Sequence, residues 1–206
     1  MSNGQTRRVK VAVSALVMVM LAGCGSAAAR LASHPTTTVA APAPPSGPVY
    51  VLGDSLTVGM APYLPALLPG RSVEIDGKTG RTATEGLDIL ATRKVPLPPT
   101  VVMALGTNDI ESPEEFTAVV NETMALLGPR RVIWVNIASP RSQPFNVDLD
   151  AARTRYPNLE IIDWASVMAA HPEDLVADQI HNTDAGYRLR AEVIASAQQR
   201  EDPRQV

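Results

Sequence analysis

Five short apolar runs recur along the chain, at 48–53, 72–75, 100–105, 131–137 and 159–163. Runs of this length without polar alternation are the pattern of strands covered on both faces. Helix-length segments separate them. Ser112 before a proline, with an acidic first turn, starts a predicted helix at Pro113 that runs to Leu127, where Gly128-Pro129 stops it. A second helix is predicted from Thr183 to Gln198, with Asp184 in its first turn. Strands alternating with helices predict an α/β protein whose parallel sheet carries helices on both faces. Ligands of such sheets bind beyond the carboxyl ends of the strands, so the loops there are where chemistry is expected.

The first 48 residues break the pattern. Arg7, Arg8 and Lys10 precede an apolar stretch of 12 residues, Val11 to Ala22, which suits a signal peptide and is too short to span a bilayer. The stretch ends in Leu21-Ala22-Gly23-Cys24, and Cys24 is the chain's only cysteine. This run resembles the bacterial lipoprotein signal, in which cleavage precedes the cysteine and the thiol is acylated. An ordinary signal peptide with an incidental cysteine is the plainer alternative. Residues 24–48 are rich in Ala, Pro, Ser and Thr and read as a semi-extended linker, in which His34 is a solvated residue. The predicted organisation is a signal peptide (1–23), a linker (24–48), one domain (49–198) and a polar tail (199–206).

Charge and composition narrow the function. Without residues 1–23 the chain holds 15 basic against 21 acidic residues, a net −6. That balance argues against binding a phosphate backbone, so no nucleic-acid partner is expected. A single cysteine excludes an internal disulfide framework and a cysteine-rich metal site.

Four loops carry reactive side chains. Gly53-Asp54-Ser55-Leu56-Thr57 follows the first strand, and Ser55 there is either a nucleophile at a helix N-terminus or a helix N-cap. Gly80 follows the second strand, and Gly106-Thr107-Asn108-Asp109 follows the third. A glycine N–H and an asparagine amide are uncharged donors suited to a developing oxyanion, although a turn glycine and an Asx-turn are ordinary alternatives. Asp178 and His181, three residues apart, supply a base and an acid to orient it. His171, followed by Glu173 and Asp174, is the rival base.

Together, Gly53-Asp54-Ser55-Leu56, Gly80, Gly106-Thr107-Asn108-Asp109 and Asp178-x-x-His181 resemble the four blocks of the SGNH (GDSL-type) hydrolases. The resemblance covers about residues 48 to 198. It implies a three-layer α/β/α sandwich around a five-stranded parallel sheet of flavodoxin-like order. It also implies ester hydrolysis or acyl transfer with no metal or other cofactor. Carried over by position, Ser55 is the nucleophile and an oxyanion donor, and Gly80 and Asn108 are the other donors. His181 is the base and Asp178 orients it.

Gly80-Arg81, the Ile161-Ile162-Asp163-Trp164 strand end and His171-Pro172 add a narrower likeness. They resemble the extracytoplasmic domain of peptidoglycan O-acetyltransferases. No multi-helix acyltransferase segment accompanies the domain in this sequence, so hydrolysis is expected first and transfer second. The expectation is an envelope esterase acting on short acyl esters, on small molecules or on an envelope glycan. Its membrane partner is its own lipid anchor, with a membrane acyl donor left open. A non-catalytic envelope binding lipoprotein is the reading from another class. Arg81 is expected to meet an anionic leaving group or to face solvent. The segment from Ser139 to Asp150 is read as a loop, either lining the cleft or plain surface.

Overall fold

The computed structural model describes residues 47–200. Cys24, His34 and the expected signal peptide lie outside the described residues, as do nearly all of the linker and residues 201–206. Strands β1 (Val49–Gly53), β2 (Val73–Gly77), β3 (Thr100–Ala104), β4 (Arg131–Val135) and β5 (Leu159–Ile162) form one parallel sheet in the order β2-β1-β3-β4-β5. The helices are α1 (Ser55–Met60), α2 (Leu64–Leu67), α3 (Ala83–Thr92), α4 (Pro113–Leu127), α5 (Gln143–Arg155), α6 (Trp164–Ala170) and α7 (Asp184–Gln199).

β1, β3 and β4 are buried along their whole length because both faces of the sheet are covered there. Successive side chains alternate between faces. Tyr50, Leu52, Met103 and Trp134 enter one core with Phe116 and Val120 of α4 and Phe145 and Leu149 of α5. Val49, Val51, Val102 and Ile133 enter the other with Met60 of α1, Leu64 of α2, Met168 of α6 and Ile194 of α7. This is the three-layer sandwich implied by the motif resemblance. Trp134 is fully buried, and its Nε1–H donates to Leu105 O at 3.1 Å, so its one polar atom is satisfied.

Register explains why distant blocks meet. Gly53 at the end of β1 pairs with Gly77 on one side and Ala104 on the other. The loops after β1, β2 and β3 therefore leave the sheet at the same level, side by side. Gly53 has no tolerance for a side chain, since a Cβ there would lie 1.9 Å from Thr57 Oγ1 and 2.9 Å from Ala104 O. Only glycine lets the chain turn this tightly from β1 into α1.

One expectation is corrected. The segment after Ser139 is a short 3₁₀ turn, Pro140–Ser142, that runs into α5. Phe145, Leu149 and Ala152 recur at helical spacing and are buried. Pro144 falls in the first turn, where its missing N–H costs no hydrogen bond. Asn146 donates to Ile137 O and accepts from Ile137 N, both at 2.9 Å, which fastens α5 to the end of β4. The polar composition hid this narrow apolar stripe. Among the described residues no helix is long and apolar enough to cross a membrane.

Candidate active site

The first turn of α1 removes the helix-cap reading of Ser55. Asp54 is the N-cap, and its carboxylate accepts from Leu56 N at 2.9 Å. Ser55 is therefore the first helical residue and its hydroxyl is free of the capping role. Its Oγ lies 2.9 Å from His181 Nε2. His181 Nδ1 lies 2.8 Å from Asp178 Oδ2. A carboxylate can only accept, so Nδ1 carries the ring proton and Nε2 presents a lone pair to the serine hydroxyl.

Asp178 is tightly held. Its Oδ1 accepts from Ile180 N and from His181 N, both at 2.9 Å. The His181 ring, followed by these two backbone donors, pulls its pKa down to about 2, so it is ionised at neutral pH. The loop that carries the pair is closed by Val176 N donating to His181 O at 2.9 Å and by a bridge between Leu175 and Asn182. Gln179, between the two triad-type residues, has φ 60, the one left-handed non-glycine residue among those described. His171 sits elsewhere. It is half-buried, faces Glu173 Oε1 at 3.3 Å and makes no hydrogen bond with Ser55. With Asp174 these residues bring three ligand-type atoms within 4.8 Å of one another.

Gly80 adopts φ 77 in the turn after β2, and a Cβ there would meet open space. Among the described residues neither Ser55 N–H nor Gly80 N–H has a protein acceptor, so both are available to a ligand. Arg81 departs from both readings made for it. It is 4% exposed, and its guanidinium donates to Gly53 O at 3.0 Å, Asp76 O at 2.6 Å and Asp76 Oδ1 at 2.7 Å. Three acceptors on β1 and β2 draw the side chain inward, so it pins the Gly80 turn instead of meeting a leaving group or solvent.

Asn108 is brought to the same place. Its Nδ2 donates to Arg81 O at 3.0 Å and to Asp54 Oδ2 at 3.5 Å. The first bond ties the β3 loop to the Gly80 turn. The second is long, which leaves that hydrogen weakly engaged. Asp109 beside it accepts from Ala83 N at 2.9 and 3.0 Å and so holds the start of α3. Burial pushes its carboxyl up to about 6, against the Ala83 hydrogen bond.

Two buried charges underlie the site. Asp54 is fully buried, which raises its pKa, and the Arg190 charge opposes that rise. Arg190 of α7 is 2% exposed and burial pulls it down to about 10. Its guanidinium lies 4.9 Å from the Trp164 ring centroid, a cation–π contact. Sequence reasoning missed Asp54, Asp109, Arg81 and Arg190 as positioning groups. Asp54 and Asp109 stood inside recognised motifs with no role assigned, Arg81 was given other roles, and Arg190 lies mid-helix with no local signal.

A cleft of about 480 Å³ lies beside the oxyanion side of the site, lined by Asn108, Asp109, Arg141, Phe145 and Ile180 among others. Fold and geometry together define a serine–histidine–aspartate arrangement on the architecture of the SGNH (GDSL-type) hydrolases. No protein-family profile matches the sequence. The chain is similar to O-acetyltransferase OatA of Staphylococcus aureus, 27% identical over 150 residues, which are 70% of this chain and 24% of that protein. It is also similar to peptidoglycan O-acetyltransferase OatA of Listeria monocytogenes, 24% identical over 148 residues, covering 70% of this chain and 23% of that one. The match thus spans about a quarter of the length of these curated relatives.

Among solved structures, the C-terminal catalytic domain of Streptococcus pneumoniae peptidoglycan O-acetyltransferase A superposes with TM-score 0.60 at 24% identity, over 75% of this chain and 93% of that one. A lipase/acylhydrolase from Enterococcus faecalis gives 0.59 at 22%, over 73% and 94%. A lipolytic G-D-S-L family protein from Veillonella parvula gives 0.60 at 16%, over 74% and 97%. The fold is shared across all three.

Proposed function

We propose that this chain is a serine esterase of the bacterial cell envelope that removes short acyl groups through an acyl-enzyme on Ser55. The observation that carries the reading is the unbroken relay from Ser55 Oγ to His181 Nε2 at 2.9 Å and from His181 Nδ1 to Asp178 Oδ2 at 2.8 Å. In this mechanism His181 takes the serine proton as Oγ attacks the ester carbonyl. The carbonyl oxygen becomes an anion, received by Ser55 N–H, Gly80 N–H and the Asn108 amide. His181⁺, stabilised by ionised Asp178, then protonates the departing alkoxide. Water, activated by the same ring, releases the acid and restores the serine.

Transfer differs only in the last step, where a sugar hydroxyl replaces water. The likeness to peptidoglycan O-acetyltransferases supports it as the second reading. A non-catalytic binding role leaves the aligned relay without a purpose. In this proposal Cys24 is acylated after removal of residues 1–23, the linker spaces the domain from the membrane, and the natural substrate is an acylated envelope glycan. Lipid anchoring at Cys24 follows from two or more acyl chains, enough for stable attachment. In a bacterial host the unsubstituted protein partitions into detergent and Cys24→Ser does not; equal retention of both refutes the anchor.

The decisive assay is hydrolysis of 4-nitrophenyl esters of rising chain length, with and without a glycan acceptor. Acetate is expected to be the best substrate, and acylated glycan appears only if transfer operates. Ser55→Ala and His181→Ala each abolish most turnover, and the double variant is little worse, since the two act as a unit. Full activity in Ser55→Ala refutes the proposal.

A further inference from the structure

The three donors proposed for the oxyanion come from three separate segments: the start of α1, the turn after β2 and the loop after β3. One residue touches all three. Arg81 Nη1 donates to Gly53 O at 3.0 Å, two residues before Ser55. Arg81 N donates to Lys78 O at 3.2 Å, which closes the turn that holds Gly80. Arg81 O accepts from Asn108 Nδ2 at 3.0 Å. Gly53 O also accepts from Lys78 N at 3.1 Å, so the first and last residues of the turn are both fastened to the end of β1. The spacing among Ser55, Gly80 and Asn108 is thus set by where the Arg81 guanidinium lies.

Asp76 decides where it lies. Its Oδ1 accepts from Arg81 Nη2 at 2.7 Å and its backbone O from Arg81 Nη1 at 2.6 Å, so the side chain and main chain of one residue grip the planar fork. The carboxylate is itself fixed, because Oδ2 accepts from Tyr50 Oη at 2.9 Å. Tyr50 is fully buried in β1, the strand that leads to Ser55. Burial and then the Asp76 hydrogen bond raise the phenol's pKa, so it stays a donor. A buried ion pair adds little net stability over apolar residues of the same volume. What it supplies here is geometry, since a rigid guanidinium held on three acceptors cannot tilt.

We infer that Asp76 is a positioning residue of the oxyanion hole: held by Tyr50, it fixes Arg81 and through it the spacing of the Ser55, Gly80 and Asn108 donors. Asp76 acts through Arg81 and not on the reacting atoms. The inference rests on the esterase reading above. Negative charge collects on the carbonyl oxygen only as Ser55 attacks, so misplaced donors slow the reaction and leave ester binding nearly untouched. A shift of about 1 Å in such groups costs about 10² in rate.

The test measures kcat and KM on 4-nitrophenyl acetate beside the Ki of 1,1,1-trifluoroacetone. Ser55 Oγ bonds to the carbonyl carbon of that ketone, the C=O electron pair moves onto the oxygen, and the serine proton passes to His181. Its Ki therefore reads the oxyanion donors directly. Asp76→Ala lowers kcat about 100-fold, keeps KM within about threefold and raises Ki about 100-fold. Asp76→Asn keeps the volume and one acceptor, folds as the parent does and shows about a tenfold change in both kcat and Ki. Tyr50→Phe leaves the Arg81 pair in place and costs about threefold. Arg153→Gln, which breaks an exposed ion pair on α5, leaves all three constants at the parent values. If Asp76→Ala does not fold, Asp76→Asn carries the same comparison. A Ki that stays at the parent value while kcat falls overturns the inference, as does a rise in KM alone or a parent-like kcat per folded molecule in the Asp76 variants. A parent chain that hydrolyses no ester removes the esterase reading and the inference with it. An active parent with an unaltered Asp76→Asn refutes the positioning role alone.

Discussion

Replacing Asp178 by asparagine is more damaging than removing its side chain, and the geometry says why. In the parent, Oδ1 is held by the N–H groups of Ile180 and His181 at 2.9 Å each, while Oδ2 faces His181 Nδ1 at 2.8 Å. An amide has one oxygen, and only that oxygen can accept the two backbone donors. Its NH₂ is therefore forced to the position of Oδ2, where it points a hydrogen at Nδ1. Two donors cannot face each other at that distance, so Nδ1 gives up its proton and Nε2 takes it. The ring then directs a hydrogen at Ser55 Oγ, and the serine proton has nowhere to go. The same tautomer error in a serine protease triad costs about 10⁴ in kcat, and a loss of that size here corresponds to roughly 5.5 kcal/mol in the barrier. Asp178→Ala frees the ring without imposing the wrong tautomer, so its loss is smaller. The assay is kcat on 4-nitrophenyl acetate for both variants, with the ring tautomer read by ¹⁵N chemical shifts. Folding changes little in Asp178→Asn because both backbone bonds survive. An Asp178→Asn protein more active than Asp178→Ala, or one with Nε2 unprotonated, refutes the reasoning. The carboxylate's role is present above its ordinary pKa and is lost only as pH falls through about 2, so loss of rate at pH 4 to 6 does not come from Asp178.

Asn108→Ala lowers kcat by ~10²–10³ with little change in KM if its amide receives the oxyanion; a kcat for the folded fraction within about threefold of the parent reduces Asn108 to its tie with Arg81 O. Arg190→Met leaves the buried Asp54 carboxylate uncompensated and costs about 3–5 kcal/mol in urea unfolding, and adding Asp54→Asn recovers much of it. A single-variant loss under about 1 kcal/mol refutes that coupling. The raised pKa of Asp109, about 6, means the folded protein holds its proton more tightly than the unfolded chain. Its contribution to stability is therefore full below about pH 4 and is lost as pH rises through about 6. Asp109→Asn keeps an acceptor for Ala83 N and removes the penalty, so it melts a few degrees higher than the parent at pH 8, for about 1–2 kcal/mol after screening, and not at pH 4. Equal differences at both pH values refute the assignment.

The buried strands were legible because a sheet covered on both faces requires apolar residues at every position, a local property of the sequence. The start of α4 was legible for the same kind of reason, as Ser112, Pro113 and two acids satisfy a helix terminus within one turn. Ser55, Gly80, Asn108, Asp178 and His181 stood out by residue type and spacing, and the choice of His181 over His171 rested on where its acid lies. α5 was hidden because its polar composition masked a narrow apolar stripe that matters only against α4 and the sheet. Arg81 could not be placed from sequence, since its three acceptors come from β1 and β2 and exist as a group only when those strands pair in register. Arg190 could not be placed either, since a charge in mid-helix is buried only when α7 packs against α1 and α6. Residue type and local spacing are written in the chain itself, so the chain alone determined the strands, α4 and α7, the motif set and the candidate chemistry. Which groups are desolvated, which donors remain free and how far apart the reacting atoms lie depend on residues more than a hundred positions apart, and only the packed sheet and helices decided them.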